Sequence, residues 1–107
     1  MPDSRILIAD DDADIVYAIS KLLQSEGFAT VGAGNGAEAL RVLETQKIDL
    51  LIIDIMMPVM DGFTAIVKIR ETRGIPIIVL SAKSEDSDKI LGLGIGADDY
   101  ITKPYNP

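Results

Sequence analysis

Cysteine and histidine are both missing from this chain of 107 residues. Without cysteine there is no disulfide frame and no thiolate metal site. Without histidine there is no imidazole base, and the chain cannot itself carry a phosphohistidine. Positive charge is scarce as well. Ten Lys and Arg face seventeen Asp and Glu, for a formal charge of -7. Phosphate backbones need a basic face, so no direct nucleic-acid contact is expected from so acidic a domain. No apolar run approaches the roughly 20 residues of a membrane span, so no membrane partner is expected. Met1-Pro2-Asp3-Ser4 shows no basic stretch leading into an apolar one, and the expected address is the cytoplasm. What remains is ordinary globular material, 48% apolar and 25% charged, of a length that makes one domain. There are no repeats, low-complexity tracts or internal linkers.

Four apolar runs read as parallel strands buried on both faces, because they do not alternate with polar residues. They are Arg5 to Ala9, Ile48 to Ile53, Ile75 to Leu80 and the shorter Tyr100 to Thr102. Phe28 to Ala33 is a less hydrophobic fifth, expected nearer an edge. Helical periodicity fills the gaps. Ala13 to Glu26 places Ile15, Ile19, Leu22 and Leu23 on one face and stops at Gly27, a suitable residue just past a helix end. Ala37 to Thr45 turns Ala39, Leu40 and Leu43 inward, and Phe63 to Thr72 turns Phe63, Ile66, Val67 and Ile69 inward before Gly74. Ser87 to Leu93 is a short helix punctuated by glycine. Strand and helix in strict alternation predict an α/β fold, a parallel sheet with right-handed crossovers.

In such a sheet, ligands bind beyond the carboxyl ends of the strands. The residues that fall there are Asp10, Asp11 and Asp12 after the first strand, Asp54 after the third, Ser81 after the fourth and Lys103 after the fifth. Carboxylates gathered with one amine and one hydroxyl form a site for a divalent cation and a phosphoryl group. Asp54 is placed to act as a nucleophile toward phosphorus. Phosphoryl transfer asks a protein for in-line positioning and charge neutralisation. Mg²⁺ takes one or two carboxylates, waters and phosphate oxygens, with Mn²⁺ as the alternative ion. Asp11 and Asp54 are the expected direct ligands, Asp10 acts through water, and the backbone carbonyl of Met56 fills another position. Lys103 pairs with a phosphoryl oxygen as a point charge, and Ser81 donates a hydrogen bond to the same group.

Each residue also has an ordinary reading. Asp12, and less readily Asp11, suits a helix N-cap. Asp54 alone would cap a turn, Ser81 alone is a turn residue, and Lys103 alone is a solvated lysine. Asp61-Gly62 is turn chemistry. Met56, Met57 and Met60 read as loop-tip packing, because no soft ligand accompanies them. It is their common position at one sheet edge that favours a site.

The stretches Ile6 to Asp12, Leu51 to Gly62, Val79 to Ala82 and Gly96 to Pro104 resemble, in order and along the whole chain, the receiver domain of two-component response regulators. The resemblance implies a flavodoxin-like (CheY-like) three-layer α/β sandwich. Its five-stranded parallel sheet has the order 2-1-3-4-5, and the last of its five helices is absent from this chain. It implies phosphorylation of Asp54 by a sensor histidine kinase, with Mg²⁺ held by Asp11, Asp54 and the Met56 carbonyl. Lys103 would contact the phosphoryl group, and the Lys103-Pro104 peptide would be cis. Ser81 and Tyr100 would form a switch in which the hydroxyl moves to the phosphoryl group and the ring turns into the vacated space. Met56 and Lys83 would tune the phosphoryl lifetime. The ending from Ala97 to Pro107 resembles the subclass whose receivers are fused to a winged-helix DNA-binding domain, which here would lie outside the chain. In that subclass Lys89, Asp98 and Asp99 would join ion pairs across a homodimer built on the fourth helix and fifth strand, when the final helix is present.

The implied role is a phospho-accepting switch in transcription regulation, catalysing only its own phosphotransfer and slow dephosphorylation. Three competitors fare worse. A dehalogenase-like phosphatase wants a second Asp two residues after the nucleophile, where Met56 stands. A flavodoxin-like cofactor binder wants a hydroxyl- and glycine-rich loop after the first strand, where three aspartates stand. A degenerate receiver would have lost Asp54, Ser81 or Lys103. The missing final helix would leave one sheet face half covered beside the first helix.

Overall fold

The computed structural model describes residues 4–81 and 96–102, with Ser81 and residues 100–102 described through their backbone. The elements run β1 (Arg5–Ala9), α1 (Ala13–Ser25), β2 (Ala29–Ala33), α2 (Gly36–Thr45), β3 (Leu50–Asp54), α3 (Gly62–Arg70), β4 (Ile77–Ser81) and β5 (Asp99–Thr102). All strand pairs are parallel. The sheet order is β2-β1-β3-β4, as the resemblance implies, and β5 lies along β4. The helix expected at Ser87 to Leu93 lies outside the described residues.

Alternate strand residues feed two cores, which makes the sheet the middle of three layers. Leu7, Leu51, Ile53, Ile77 and Val79 pack under Ala39 and Leu43 of α2 and Ala65, Ile66 and Ile69 of α3. Ile6, Ile8 and Leu80 point the other way, toward Ile19 of α1. A fully buried Leu or Ile contributes about 1.5–3 kcal/mol relative to exposure, so the first core is the main source of stability. The α1 side is looser: Ile19 is the single buried residue of that helix. A cavity of about 200 Å³ opens there, lined by Ile19, Leu22, Leu23, Leu50, Ile52 and others.

The boundaries differ from the apolar runs for local reasons. β4 starts at Ile77 because Pro76 has no N–H for the ladder. β3 starts at Leu50 because the Asp49 carboxylate accepts the Arg5 N–H at 2.8 Å, although Ile48 is buried. Phe28 drops out of β2 because its N–H closes α1 on the Leu23 carbonyl at 3.1 Å, while Gly27 donates to the Gln24 carbonyl at 3.0 Å. That is the paired closure of a Schellman end, and Gly27 takes it at φ +95°. The glycine stop is where the sequence places it.

Candidate functional site

The acidic triplet after β1 divides its labour. The Asp10 N–H extends the ladder onto the Ala33 carbonyl at 2.9 Å, which brings its side chain in to 3% exposure. Its Oδ1 accepts the Asp12 N–H at 2.9 Å. Asp11 stands exposed at the mouth. Asp12 is the N-cap of α1, accepting from the Asp14 and Ile15 N–H groups at 3.0 and 3.4 Å. The ordinary reading therefore holds for Asp12.

Asp54 ends β3 and is 4% exposed. Its Oδ1 accepts the Met56 N–H at 3.2 Å, so the chain turns directly over the carboxylate. The loop that follows is braced at several points. The Met60 N–H reaches the Pro58 carbonyl at 2.7 Å, a three-residue turn with Val59 at its centre. The Gly36 N–H at the start of α2 holds the Met60 carbonyl at 3.0 Å, and the Gly62 N–H holds the Ile55 carbonyl at 3.1 Å. Asp61 caps α3, accepting from the Thr64 N–H at 2.8 Å, which is the turn chemistry expected of it. Met57 and Met60 pack on the main core, as expected of loop-tip methionines, whereas Met56 is 57% exposed.

Val59 carries the strain of this turn, at φ +68° and 85% exposed. A β-branched residue in the left-handed region costs about 1–3 kcal/mol. Val59→Asn is therefore expected to stabilise the domain by about 1 kcal/mol, because Asn tolerates that region and no buried surface is lost. A thermal melt reads it as a rise in midpoint of about 4–8 °C.

Asp10, Asp11 and Asp54 converge. One oxygen from each lies within 4.8 Å of the others. Opposite ligands of an octahedral Mg²⁺ stand about 4.2 Å apart, from bonds of about 2.1 Å. The donor set thus fits that ion with a small inward movement. Its chemistry is hard oxygen throughout, with no sulfur or imidazole. Two unit charges about 5 Å apart repel by roughly 3 kcal/mol at an effective dielectric of about 20. With two of the carboxylates buried, a cation is the natural complement.

The remaining expected residues fall as follows. Ser81 ends β4 one position beyond Leu80, which pairs with Asp54. Tyr100 pairs with Val79 across β4 and β5. Lys83, Lys89, Lys103 and Pro104 lie outside the described residues. Asp98 and Asp99 stand at the far end of β5, both exposed. Asp98 binds Arg70 at 3.0 Å within its own chain. Sequence reasoning passed over Arg70 and the Asn35-Gly36 start of α2 that braces the loop after Asp54. The one signal for the latter was the turn-forming Gly34-Asn35-Gly36.

A parallel α/β domain with a carboxylate cluster at the carboxyl edge of its sheet defines the class. Residues 6–107 match the response regulator receiver domain model, and the chain belongs to that family. It is 48% identical over 102 residues to the response regulator GtcR of Aneurinibacillus migulanus, covering 95% of this chain and 42% of that one. It is 42% identical over 106 residues to the alkaline phosphatase synthesis transcriptional regulatory protein PhoP of Bacillus subtilis, covering 98% and 44%. The chain thus spans less than half the length of these curated relatives. Among solved structures, the Klebsiella pneumoniae RstA receiver domain, described as BeF3-activated, superposes with a TM-score of 0.93 at 33% identity, covering 97% of this chain and 89% of that one. The receiver domain of the Francisella response regulator 1452 gives 0.92 at 38%, covering 97% and 87%. Among the described residues no helix is long and apolar enough to cross a membrane.

Proposed function

We propose that this receiver is a Mg²⁺-dependent phospho-acceptor whose nucleophile is Asp54. The observation that carries the reading is the convergence of the Asp10, Asp11 and Asp54 oxygens within 4.8 Å at the carboxyl edge. The donor is a sensor histidine kinase. A carboxylate oxygen of Asp54 forms the bond to phosphorus as the donor's N–P bond breaks, and the departing imidazole nitrogen keeps the electron pair. Asp11, Asp54 and the Met56 carbonyl hold the ion, with Asp10 acting through water. When bound, Mg²⁺ offsets the charge of the carboxylates and of the phosphoryl oxygens. The Met56 N–H, already on Asp54 Oδ1 at 3.2 Å, fixes which oxygen is left to attack. Lys103 and Ser81 supply the remaining charge and hydrogen bond.

The output is a switch rather than turnover. The Ser81 hydroxyl follows the phosphoryl group, and Tyr100 turns inward. Moving a population from 1:99 to 99:1 takes about 5.5 kcal/mol of differential affinity. Two to four hydrogen bonds to a charged group, at about 1.5–3 kcal/mol each, cover that range. Residues 1–107 form the receiver, and a winged-helix DNA-binding domain outside this chain receives the signal. Lys89, Asp98 and Asp99 belong to the dimer face of the fourth helix and fifth strand.

The test is intact mass after incubation with acetyl phosphate, with and without Mg²⁺. Gain of one phosphoryl group that needs the ion supports the reading; no gain defeats it. The acidic triplet offers a second test that needs no phosphoryl donor. Asp11→Ala is expected to abolish the Mg²⁺-induced rise in melting temperature while leaving the ion-free melt unchanged or higher. Asp12→Ala is expected to lose about 1 kcal/mol as a missing cap yet keep the Mg²⁺ response. Equal Mg²⁺ responses in the two variants would remove Asp11 from the metal site.

A further inference from the structure

We infer that Arg70 and Asp98 form a register lock for β5, so that Asp98 works inside one chain as a positioning residue. The inference rests on the phospho-acceptor reading, because what β5 delivers is the lysine and switch residues of that site.

Asp98 grips Ile77 twice. Its N–H donates to the Ile77 carbonyl at 2.7 Å, and its Oδ2 accepts the Ile77 N–H at 2.7 Å. Arg70 Nη2 donates to the same Oδ2 at 3.0 Å. The rest of the guanidinium is spent nearby: Nε on the Gly96 carbonyl at 2.9 Å, and Nη1 on the Ile75 and Arg73 carbonyls at 2.6 and 3.3 Å. One side chain thereby ties the end of α3 to the approaches of both β4 and β5. The chain passes so near it that a Cβ on Gly96, which sits at φ +124°, would lie 2.8 Å from Arg70 Cγ.

The physical need is clear from β5 itself. It has four residues, and among the described residues it pairs with β4 alone, from Ile78↔Asp99 to Ser81↔Thr102. A four-residue strand has few ladder bonds to hold its register, and a slip by one residue turns every side chain to the other face. Such a slip would also carry Lys103 along the strand by about 3.3 Å, more than a contact with a phosphoryl oxygen allows. A double grip just before the strand begins removes that freedom. The carboxylate is suited to the task because two donors converge on one oxygen.

Amide hydrogen exchange tests the lock. An Asn at 98 keeps an oxygen for Ile77 and Arg70; an Ala keeps none. In Asp98→Ala the Ile77 and Asp98-position amides are expected to exchange about tenfold faster, as fits a lost part-buried acceptor, with Asp98→Asn within about threefold of wild type. The Ile8 amide in β1 should be unchanged in both, and the rate of phosphorylation by acetyl phosphate should fall in the Ala variant and recover in the Asn variant. Arg70→Gln, should the Ala variant not fold, is expected to give the same local acceleration. Equal exchange in the Asn and Ala variants, or acceleration shared by Ile8 and Ile77, overturns the lock. A wild-type chain that takes up no phosphoryl group defeats the phospho-acceptor reading alone, and the exchange pattern still decides the lock.

Discussion

Asp54→Asn is expected to gain no phosphoryl group from acetyl phosphate at any Mg²⁺ concentration, under conditions where the wild-type chain gains one. The substitution is close to isosteric. Its side-chain oxygen can still accept the Met56 N–H, which Asp54 Oδ1 holds at 3.2 Å, so the turn over the site is retained. What disappears is the nucleophile, since a carboxamide oxygen does not attack phosphorus as a carboxylate does. The variant also removes one of three converging like charges. Its ion-free melting temperature should therefore equal or exceed that of the wild type, because two such charges repel by roughly 3 kcal/mol at this spacing. Loss of phosphorylation together with a retained melt assigns the failure to chemistry. Asp61→Asn is the matched control: Asp61 is the α3 cap, Asn caps as well as Asp, and phosphorylation should continue. Uptake by Asp54→Asn would move the acceptor elsewhere and overturn the site.

The parts of this molecule that were legible in the sequence share a cause. Asp10, Asp54 and Ser81 could be placed at one edge because each directly follows an uninterrupted apolar run, and in a parallel sheet all such runs end on the same side. The Asp12 cap and the Gly27 stop are local, set by residues within one helical turn. Three strand starts were misjudged by one or two residues, at Pro76 and Phe28 because an N–H is missing or diverted nearby, and at Asp49 through its contact with distant Arg5. Two features were beyond reach. Val59 at φ +68° contradicts its own propensity, because the closure of the turn by Pro58 and Met60 overrides it. Arg70 reads as one more polar residue in the last turn of α3, yet its partner Asp98 is 28 positions away. Nothing local marks Asp98 as the acceptor of the Ile77 N–H, so this contact could not be read beside its expected place on a dimer face. Contacts of that separation are fixed by the sheet order, which the sequence implies but does not register to the residue.

The largest stability effect is expected at Gly62. This residue opens α3, and its N–H reaches back to the Ile55 carbonyl at 3.1 Å. A Cβ there would press on the Asp54 carbonyl oxygen and lie 2.7 Å from Ile55 Cα. Both obstacles are backbone. Neither can swing aside as a side-chain tip would, and one belongs to the peptide of Asp54 itself. Gly62→Ala must therefore push α3 off the end of β3 or bend β3 itself. Overpacking commonly costs about 1–3 kcal/mol, and rigid backbone on the other side puts this case at or above the top of that range. At about 4–8 °C per kcal/mol for a domain near this size, the melting midpoint should fall by 12 °C or more, taking about 3 kcal/mol as the cost. Phosphorylation of the fraction still folded should slow as well, because the Asp54–Met56 turn rests on the displaced peptide. Gly74→Ala is the contrast: no heavy atom lies within 4 Å of the added carbon, and a neutral change or a gain of about 0.4–1 kcal/mol is expected from the stiffer unfolded chain. If Gly62→Ala melts with Gly74→Ala, the close seat of α3 on the Asp54 peptide is not what positions the site.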